Sequence, residues 1–334
     1  MEPRILLAHG GGGGASHRLI QEVFYRYLGN DILLQGNDAA VFDVVPGKLA
    51  MTTDCFVVQP IFFRGGDIGK LAVCGTVNDL AVSGARPLYL SLGLIIEEGL
   101  PVELLEKVVA SIAAACLEAG VKIVTGDTKV VEKGKADQLF INTTGLGIIP
   151  ESVRVGGEMA RPGDLVLING NIGEHGLAVM SERAGINWET PILSDCAALH
   201  GLIAEAMEAG AVHCLRDPTR GGLATTLNEI SRQSHVGIIL EENAIPVSGA
   251  VRGASEMLGF DPLYLANEGK VVVIAPPASA KAILERMRRH PLGKDSAIIG
   301  EAVAEHPGLV ALKTAFGGER LLDMLEGEML PRIC

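Results

Sequence analysis

The 334-residue chain lacks the signatures of several large function classes. No G-x-x-x-x-G-K-[ST] stretch occurs. Gly65-Gly66-Asp67-Ile68-Gly69-Lys70 comes near it but has Arg64 where the first glycine is required, which excludes a P-loop enzyme. There is no H-E-x-x-H, and the eight histidines are scattered without ligand spacing, against a zinc hydrolase. The six cysteines (Cys55, Cys74, Cys116, Cys196, Cys214, Cys334) include no Cys-x-x-Cys pair, so neither a disulfide framework nor a zinc cluster is indicated. The five internal ones mostly lie in apolar surroundings, as reduced core cysteines do. A net charge of -12 without any Lys/Arg run argues against nucleic acid, whose binding depends on a basic surface. Despite a mean hydropathy of +0.32, the longest uncharged apolar stretches, Pro87–Ile96 and Gln138–Pro150, fall short of the roughly 18 residues a membrane span needs. The apolar run after Met1-Glu2-Pro3-Arg4 is too short for a secretory signal. A cytoplasmic protein with no membrane partner is expected.

What is present is apolar sequence and glycine. At 48% hydrophobic with 42 glycines, the chain fits a close-packed α/β protein, long enough for two domains. Ile5–Ala8 reads as a short strand, followed by five glycines from Gly10 to Gly14 and an amphipathic helix from about His17. Gly10, Gly12 and Ala15 satisfy G-x-G-x-x-G/A, but no strand with an acidic end follows where a dinucleotide fold needs one, so a mobile loop closing over phosphates through its amides is preferred. Strands are predicted over Ala39–Val45 and Leu49–Val58 around a Pro46-Gly47 turn, and a helix over Asp67–Ser83. Strand Leu88–Ile96, helix Pro101–Ala119 and strands Val121–Thr125 and Leu139–Ile149 complete one α/β unit, with Gly120 ending the helix. The second half follows a similar pattern without obvious repetition of sequence. It opens with strand Asp164–Ile168, the loop Asn169–Gly176 and helices near 176–184 and 197–209, then Arg216–Gly222 opening another helix. Strand Val236–Leu240, helix Ser248–Leu258, strand Val271–Ala275, helix Ala278–His290 and strands Ala297–Ala304 and Val310–Leu312 follow. The expected divisions are a glycine-rich segment and helix over 1–34, a first α/β domain over 35–155, a second over 156–314 and a flexible tail over 315–334.

Two features carry chemistry. Asp38, Asp54, Asp79 and Asp127 each sit at an element end beside small or polar residues, in Asn37-Asp38-Ala39, Thr53-Asp54, Asn78-Asp79 and Gly126-Asp127-Thr128. Any one of them is most simply a cap or turn former, but similar flanks across the set favour carboxylates that hold Mg²⁺ against nucleotide phosphates, with Asp217 as a further ligand from the second half. Gly11, Gly12 and Gly13 of the glycine loop, with Thr53, Asn78, Thr128 and Asn171, are the candidate nucleotide contacts. The second feature is the ending Pro331-Arg332-Ile333-Cys334. Pro331 biases the backbone toward an extended, exposed strip, and a thiol there is a candidate carrier of a chemical group.

Gly36–Val41, Thr125–Val131, Arg216–Gly222, Asn267-Glu268-Gly269-Lys270 and the terminal Pro-Arg-Ile-Cys resemble the HypE family, the carbamoyl dehydratases of [NiFe]-hydrogenase maturation, over essentially the whole chain. The aspartate motifs alone resemble the wider superfamily of aminoimidazole ribonucleotide synthetase, selenophosphate synthetase and thiamine monophosphate kinase; the terminal Pro-Arg-Ile-Cys is the specific part. Several superfamily members carry paired acids where this chain has Asn37-Asp38, which leaves the number of Mg²⁺ ions open. The resemblance implies a two-domain PurM-like α/β (α+β) fold, a homodimer, and a HypF partner that loads a carbamoyl group onto Cys334. ATP would then phosphorylate the carbonyl oxygen, phosphate would leave, and loss of the N–H protons would give a thiocyanate for HypC-HypD. Lys129 and Glu268 are the catalytic candidates by the same likeness. The 20 residues from Thr314 to Cys334 could span roughly 65 Å when extended, enough to enter the chain's own site and leave it. Two rival readings are a small-molecule kinase or synthetase with an inert tail, and a non-enzymatic nucleotide-sensing scaffold whose tail docks a partner.

Overall fold

A computed structural model describes residues 3–11, 13–37, 39–43, 46–327, 330 and 332–334. Gly12 and Asp38 therefore lie outside the described residues. The chain opens on a 3₁₀ turn, Leu7–Gly10, where a strand was expected. Only an isolated bridge from Arg4 to Pro101 has extended pairing. Helix α1 (Gly14–Leu19) runs through a π-helical stretch, Ile20–Tyr25, into α2 (Arg26–Leu28).

The first half is built on strand β1 (Lys48–Phe56), the short pair β2 (Phe62–Phe63) and β3 (Gly66–Asp67), helix α3 (Ile68–Val82), β4 (Arg86–Glu97), helix α4 (Val102–Ala119), β5 (Lys122–Val131) and β6 (Leu139–Ile149). Four strands form one sheet in the order β1-β6-β4-β5, antiparallel except for β4 and β5. The predicted hairpin around Pro46-Gly47 is not its frame. Residues 39–43 carry no strand, and β1 pairs instead with β6, with Asp54 opposite Thr143. Local turn chemistry gave way to a partner about ninety residues distant. Helix α3 starts because the Asp67 carboxylate accepts the amides of Gly69 and Lys70 (2.7 and 3.2 Å). Helix α4 stops at Gly120, whose φ of 66° is one that a glycine adopts without strain. Its buried Leu105, Val108, Val109, Ile112 and Cys116 pack on α3 and the sheet at helical spacing.

The second half comprises β7 (Leu165–Ile168), α5 (Glu174–Ala184), α6 (His200–Ala209), β8 (Cys214–Arg216), α7 (Gly222–Ser234), β9 (Gly237–Glu241), α8 (Gly249–Leu258), β10 (Val272–Ala275), α9 (Pro277–Arg289), β11 (Ala297–Val303), β12 (Val310–Lys313) and β13 (Glu319–Leu322). Seven strands order as β13-β12-β9-β11-β7-β10-β8. Both faces are covered: Val166, Ile168, Val272 and Ile274 enter one core with α7, while Leu167, Val271, Val273 and Ala275 enter another with α6 and α9. β13 lies beyond Thr314, where the apolar pattern fades, and pairs antiparallel with β12. The first sheet differs, because α3 and α4 cover one face only. On the other side Leu49, Met51 and Ile95 are exposed. No helix among the described residues is long and apolar enough to cross a membrane.

Asn78, on α3, fastens the halves together. Its buried amide donates to Ala197 O and Glu268 O (3.1 and 3.3 Å) and accepts from Leu199 N (2.8 Å). Asn78→Ala should leave these buried groups unpaired and destabilise the nucleotide-free protein by about 2–4 kcal/mol, read from urea denaturation midpoints.

Candidate active site

The site lies where the two halves meet. β1 brings Asp54 from the sheet face that α3 covers, and alternation along the strand turns Thr53 to the opposite, open face. There the Thr53 hydroxyl bonds Asn142 and Thr144 (3.1 and 3.0 Å). α3 contributes Asp79, whose carboxylate accepts the Thr52 hydroxyl at 2.8 Å. The second half adds Asp217, Thr219 and Arg220 from the turn before α7, and Glu268. Together with Cys55, Gly75 and Cys334 these residues surround a cavity of about 30 Å³.

The two glycines after Arg220 are required by the backbone. Gly221 and Gly222 have φ of 77° and 61°, and a Cβ on Gly222 would lie 2.6 Å from the Leu263 and Leu265 carbonyls. Asn267 is fully buried; its side chain donates to Pro218 O and Leu265 O and accepts Gly173 N, which fixes the loop carrying Asp217. Asp195 then clasps the next three residues: its carboxylate accepts Glu268 N (3.0 Å), Gly269 N (3.2 Å) and Lys270 Nζ (2.8 Å). A Cβ on Gly269 would sit 1.8 Å from Asp195 O, so only glycine fits.

The carboxyl groups disturb one another. Burial pushes Glu268 well above the usual carboxylate range, and Asp217, Asp195 and Asp54 add like charge. Asp217 keeps some exposed surface, yet desolvation and then Asp79 push it to about 7. Asp54 and Asp79 are also raised, chiefly by desolvation; Arg220 opposes this at Asp54.

The chain's end enters this site rather than extending into solvent. Val57 N donates to Cys334 O and Gln59 N to Arg332 O (3.2 and 3.1 Å), an antiparallel-type pairing. Ile333 is buried in the core of the first half. His175 Nε2 meets Ile333 O at 2.7 Å, Arg183 donates to Arg332 O at 2.6 Å, and the Arg332 guanidinium pairs with Asp137.

The remaining sequence candidates fall elsewhere. Asp127 and Lys129 form an exposed ion pair at 3.1 Å, which holds the Asp127 carboxyl below its usual range. With Thr128, His9, Gly10 and Asn37 they line a second cavity of about 280 Å³, floored by Leu92, Leu94, Ile123 and Phe24. β1 and β5 are opposite edges of a four-stranded sheet, about 14 Å apart at normal strand spacing, so Lys129 does not join Glu268 within one chain. Gly11 and Gly13 are exposed beside this second cavity, Gly13 preceding α1. Asn171 reaches Asp295 at 3.5 Å in the loop before α5. Among the described residues, no three acidic, histidine or cysteine side chains are arranged to hold a metal ion. His175, Arg183 and Asp195 carry no linear motif that marks them, and each acquires its place from a partner distant in sequence; Arg220 lies within the Arg216–Gly222 stretch but is not singled out there.

The two linked α/β halves are those of the AIR synthase related proteins: residues 36–149 match the model of their N-terminal domain and 161–312 that of their C-terminal domain. Within that class, the chain belongs to the carbamoyl dehydratase HypE family. It is 54% identical over 329 residues to carbamoyl dehydratase HypE of Azotobacter vinelandii, covering 98% of this chain and 96% of that one. It is 46% identical over 335 residues to that of Escherichia coli K12, covering 99% of each. A solved structure of the hydrogenase maturation protein HypE in complex with ATP superposes with a TM-score of 0.95 at 53% identity, over 98% of this chain and 99% of that one. A HypE–HypF complex gives 0.81 at 52% identity, over 92% and 99%. The thiamine monophosphate kinases, 18–20% identical, share the fold alone.

Asp217 makes a pH dependence visible. With a folded value of about 7 against about 4 unfolded, its ionised form is penalised only in the native state. That penalty is absent below about pH 4, grows as pH rises and is complete above about pH 7. The nucleotide-free protein should lose stability across this window, and Asp217→Asn should flatten the profile in urea denaturation at pH 5 and 8; Glu268, whose pKa is raised too, adds a loss of the same sign as pH rises.

Proposed function

We propose that this protein dehydrates an S-carbamoyl group on its own Cys334 to a thiocyanate at the expense of ATP, supplying cyanide for the iron of [NiFe] hydrogenase. The observation that carries this reading is the placement of Cys334 in the same cavity as Glu268, Asp54, Asp79 and Asp217. HypF is the donor of the carbamoyl group, as the relative solved in complex with HypF supports. HypC-HypD is the acceptor of the cyanide.

An amide oxygen is a poor leaving group, so it must first accept the γ-phosphoryl group of ATP; phosphate then departs as the two N–H protons are lost and the C≡N bond forms. Phosphoryl transfer is chiefly a matter of positioning and charge neutralisation. The backbone pairing at Val57 and Gln59 holds the tail in line, and Arg220 supplies positive charge at the phosphoryl oxygens. Glu268 takes a nitrogen proton. A carboxylate with a raised pKa is the stronger base once ionised, and any cation in the site favours that ionisation. Lys129 and Asp127 line the second cavity, on the far edge of the sheet from the carboxyl cluster of the same chain, and would reach the reacting phosphates across the homodimer.

Mg²⁺ fits the chemistry of the donor set, since Asp54, Asp79 and Asp217 offer oxygen only and a cation relieves their mutual repulsion; because no three of the described side chains converge into a ready-made metal site, nucleotide phosphates would have to complete the coordination. Those residues would hold it together with nucleotide phosphates, and bound there it would neutralise phosphate charge. The open face of the first sheet, with Leu49, Met51 and Ile95, supports a homodimer, which we place in the cytoplasm.

Glu268→Gln should trap the carbamoylated tail after loading by HypF, seen by intact mass of the C-terminal peptide, with ATP binding preserved. Conversion to thiocyanate at the unmodified rate would remove Glu268 from the reaction. Cys334→Ala should bind ATP and show no carbamoyl-dependent turnover; unaltered turnover would sink the carrier role. Met51→Asp should shift the sedimentation coefficient to that of a monomer.

A further inference from the structure

His175 belongs to α5, has no exposed surface, and touches neither the carboxyl cluster nor the second cavity. Its two ring nitrogens are nonetheless both occupied: Nε2 meets the Ile333 carbonyl at 2.7 Å, and Nδ1 meets Ser194 Oγ at 2.8 Å. A carbonyl only accepts, so Nε2 carries the proton. Burial lowers the imidazole pKa and keeps the ring neutral, which makes Nδ1 the acceptor of the Ser194 hydroxyl proton. Ser194 Oγ in turn accepts Cys196 N at 3.1 Å. The run is therefore directed and complete: Cys196 N–H to Ser194 O–H to His175 N–H to the carbonyl of the penultimate residue. The Phe63 ring stands edge-on to the imidazole, with centroids 5.4 Å apart, and fixes its plane.

The residue between Ser194 and Cys196 is Asp195, which clasps the backbone of Glu268. One three-residue segment thus supports the tail through His175 and the catalytic carboxylate through Asp195. We infer that His175 is a positioning residue that sets the register of the Cys334 thiol against Glu268 by holding the Ile333 carbonyl. The inference rests on the carrier reading of Cys334, and its first measurement does not depend on that chemistry.

In the full-length protein with Mg-ATP, the rate of Cys334 alkylation by a maleimide is followed by mass of the C-terminal peptide, which separates it from exposed Cys55. Conversion of the carbamoylated tail is followed after loading by HypF. His175→Phe fills the space without a donor; His175→Gln restores an N–H near the Nε2 position. The expected result is that His175→Phe is alkylated about tenfold faster and converts about tenfold more slowly, the effect of one buried hydrogen bond, while His175→Gln stays within about threefold of the parent on both. Parent-like rates in His175→Phe would overturn the inference, as would equal effects of the two variants, which would mark a packing role. Should His175→Phe fail to fold, Ser194→Ala must shift both rates in the same direction, and no change overturns it. If the parent itself leaves the carbamoyl group unconverted, the proposed function fails, while the alkylation contrast still decides the role of His175.

Discussion

Asp195 is the constraint on which the two halves and the site jointly depend. Its side chain is nearly enclosed, and its carboxyl is nonetheless held below its usual range because the Lys270 ammonium at 2.8 Å, with the backbone amides it accepts, outweighs the cost of burial. Breaking such a pair from one side leaves an uncompensated buried charge, a penalty of about 3–5 kcal/mol. Lys270 also lies 3.6 Å from Glu174, at the start of the helix that carries His175. The charge pair thereby ties three pieces into one rigid unit: the Glu268 segment, the Ser194–Cys196 segment and the N-terminus of α5. Asn78 joins that unit to α3, next to Asp79. The geometry of the carboxyl cluster is consequently set by buried groups that take no part in the chemistry.

The docked tail is balanced rather than locked. Burying Ile333 contributes about 2 kcal/mol, and the bonds from His175, Arg183, Val57 and Gln59 about 1 kcal/mol each. Against this stand the ordering of several residues at about 1–2 kcal/mol each, and the left-handed backbone of Arg332, φ 57°, costing about 1 kcal/mol. For residues 332–334 the two sides come to about 6 and about 4–7 kcal/mol, with the half-exposed Arg332 pairing to Asp137 and Gln59 adding about 1 kcal/mol or less to the favourable side. A carrier that must receive a group from one protein and deliver it to another needs such a balance, since a deep minimum in its own site would hold it there.

Much of this was legible in the residues. Helical spacing and the Pro101 and Gly120 boundaries located α4 to within a residue, and the short apolar runs of a sheet buried on both faces gave most strands of the second half. The Asn267–Lys270 stretch also announced a site, although its four residues divide the labour: Asn267 and Lys270 fasten, Gly269 makes room, and Glu268 alone faces the cavity. Spacing could not divide the acids into two groups, because Asp54 and Asp127 have similar flanks and occupy opposite edges of one sheet. Nor could it show the tail docked. Pro331 favours extended backbone locally, but whether an extended segment lies in solvent or against an edge depends on Val57, His175 and Arg183, between about 150 and 275 positions away.

The carboxyl cluster explains why such a site waits for its ligand. Asp54, Asp79, Asp217 and Glu268 crowd a cavity whose lining includes one cation, Arg220, among the described residues. With every acid ionised, the field there would repel nucleotide phosphates; burial raises all four pKa values, and at Asp217 and Glu268 far enough to favour the protonated form in the empty site. Under the proposed reaction, a metal–nucleotide complex entering here would exchange those protons for metal charge and would leave Glu268 ionised in surroundings that still disfavour its charge. A carboxylate in that condition gains from taking up a proton, and the nitrogen of a phosphorylated carbamoyl group is losing one. On that mechanism, the same burial that penalises Glu268 in the empty protein would supply its basicity in the loaded one.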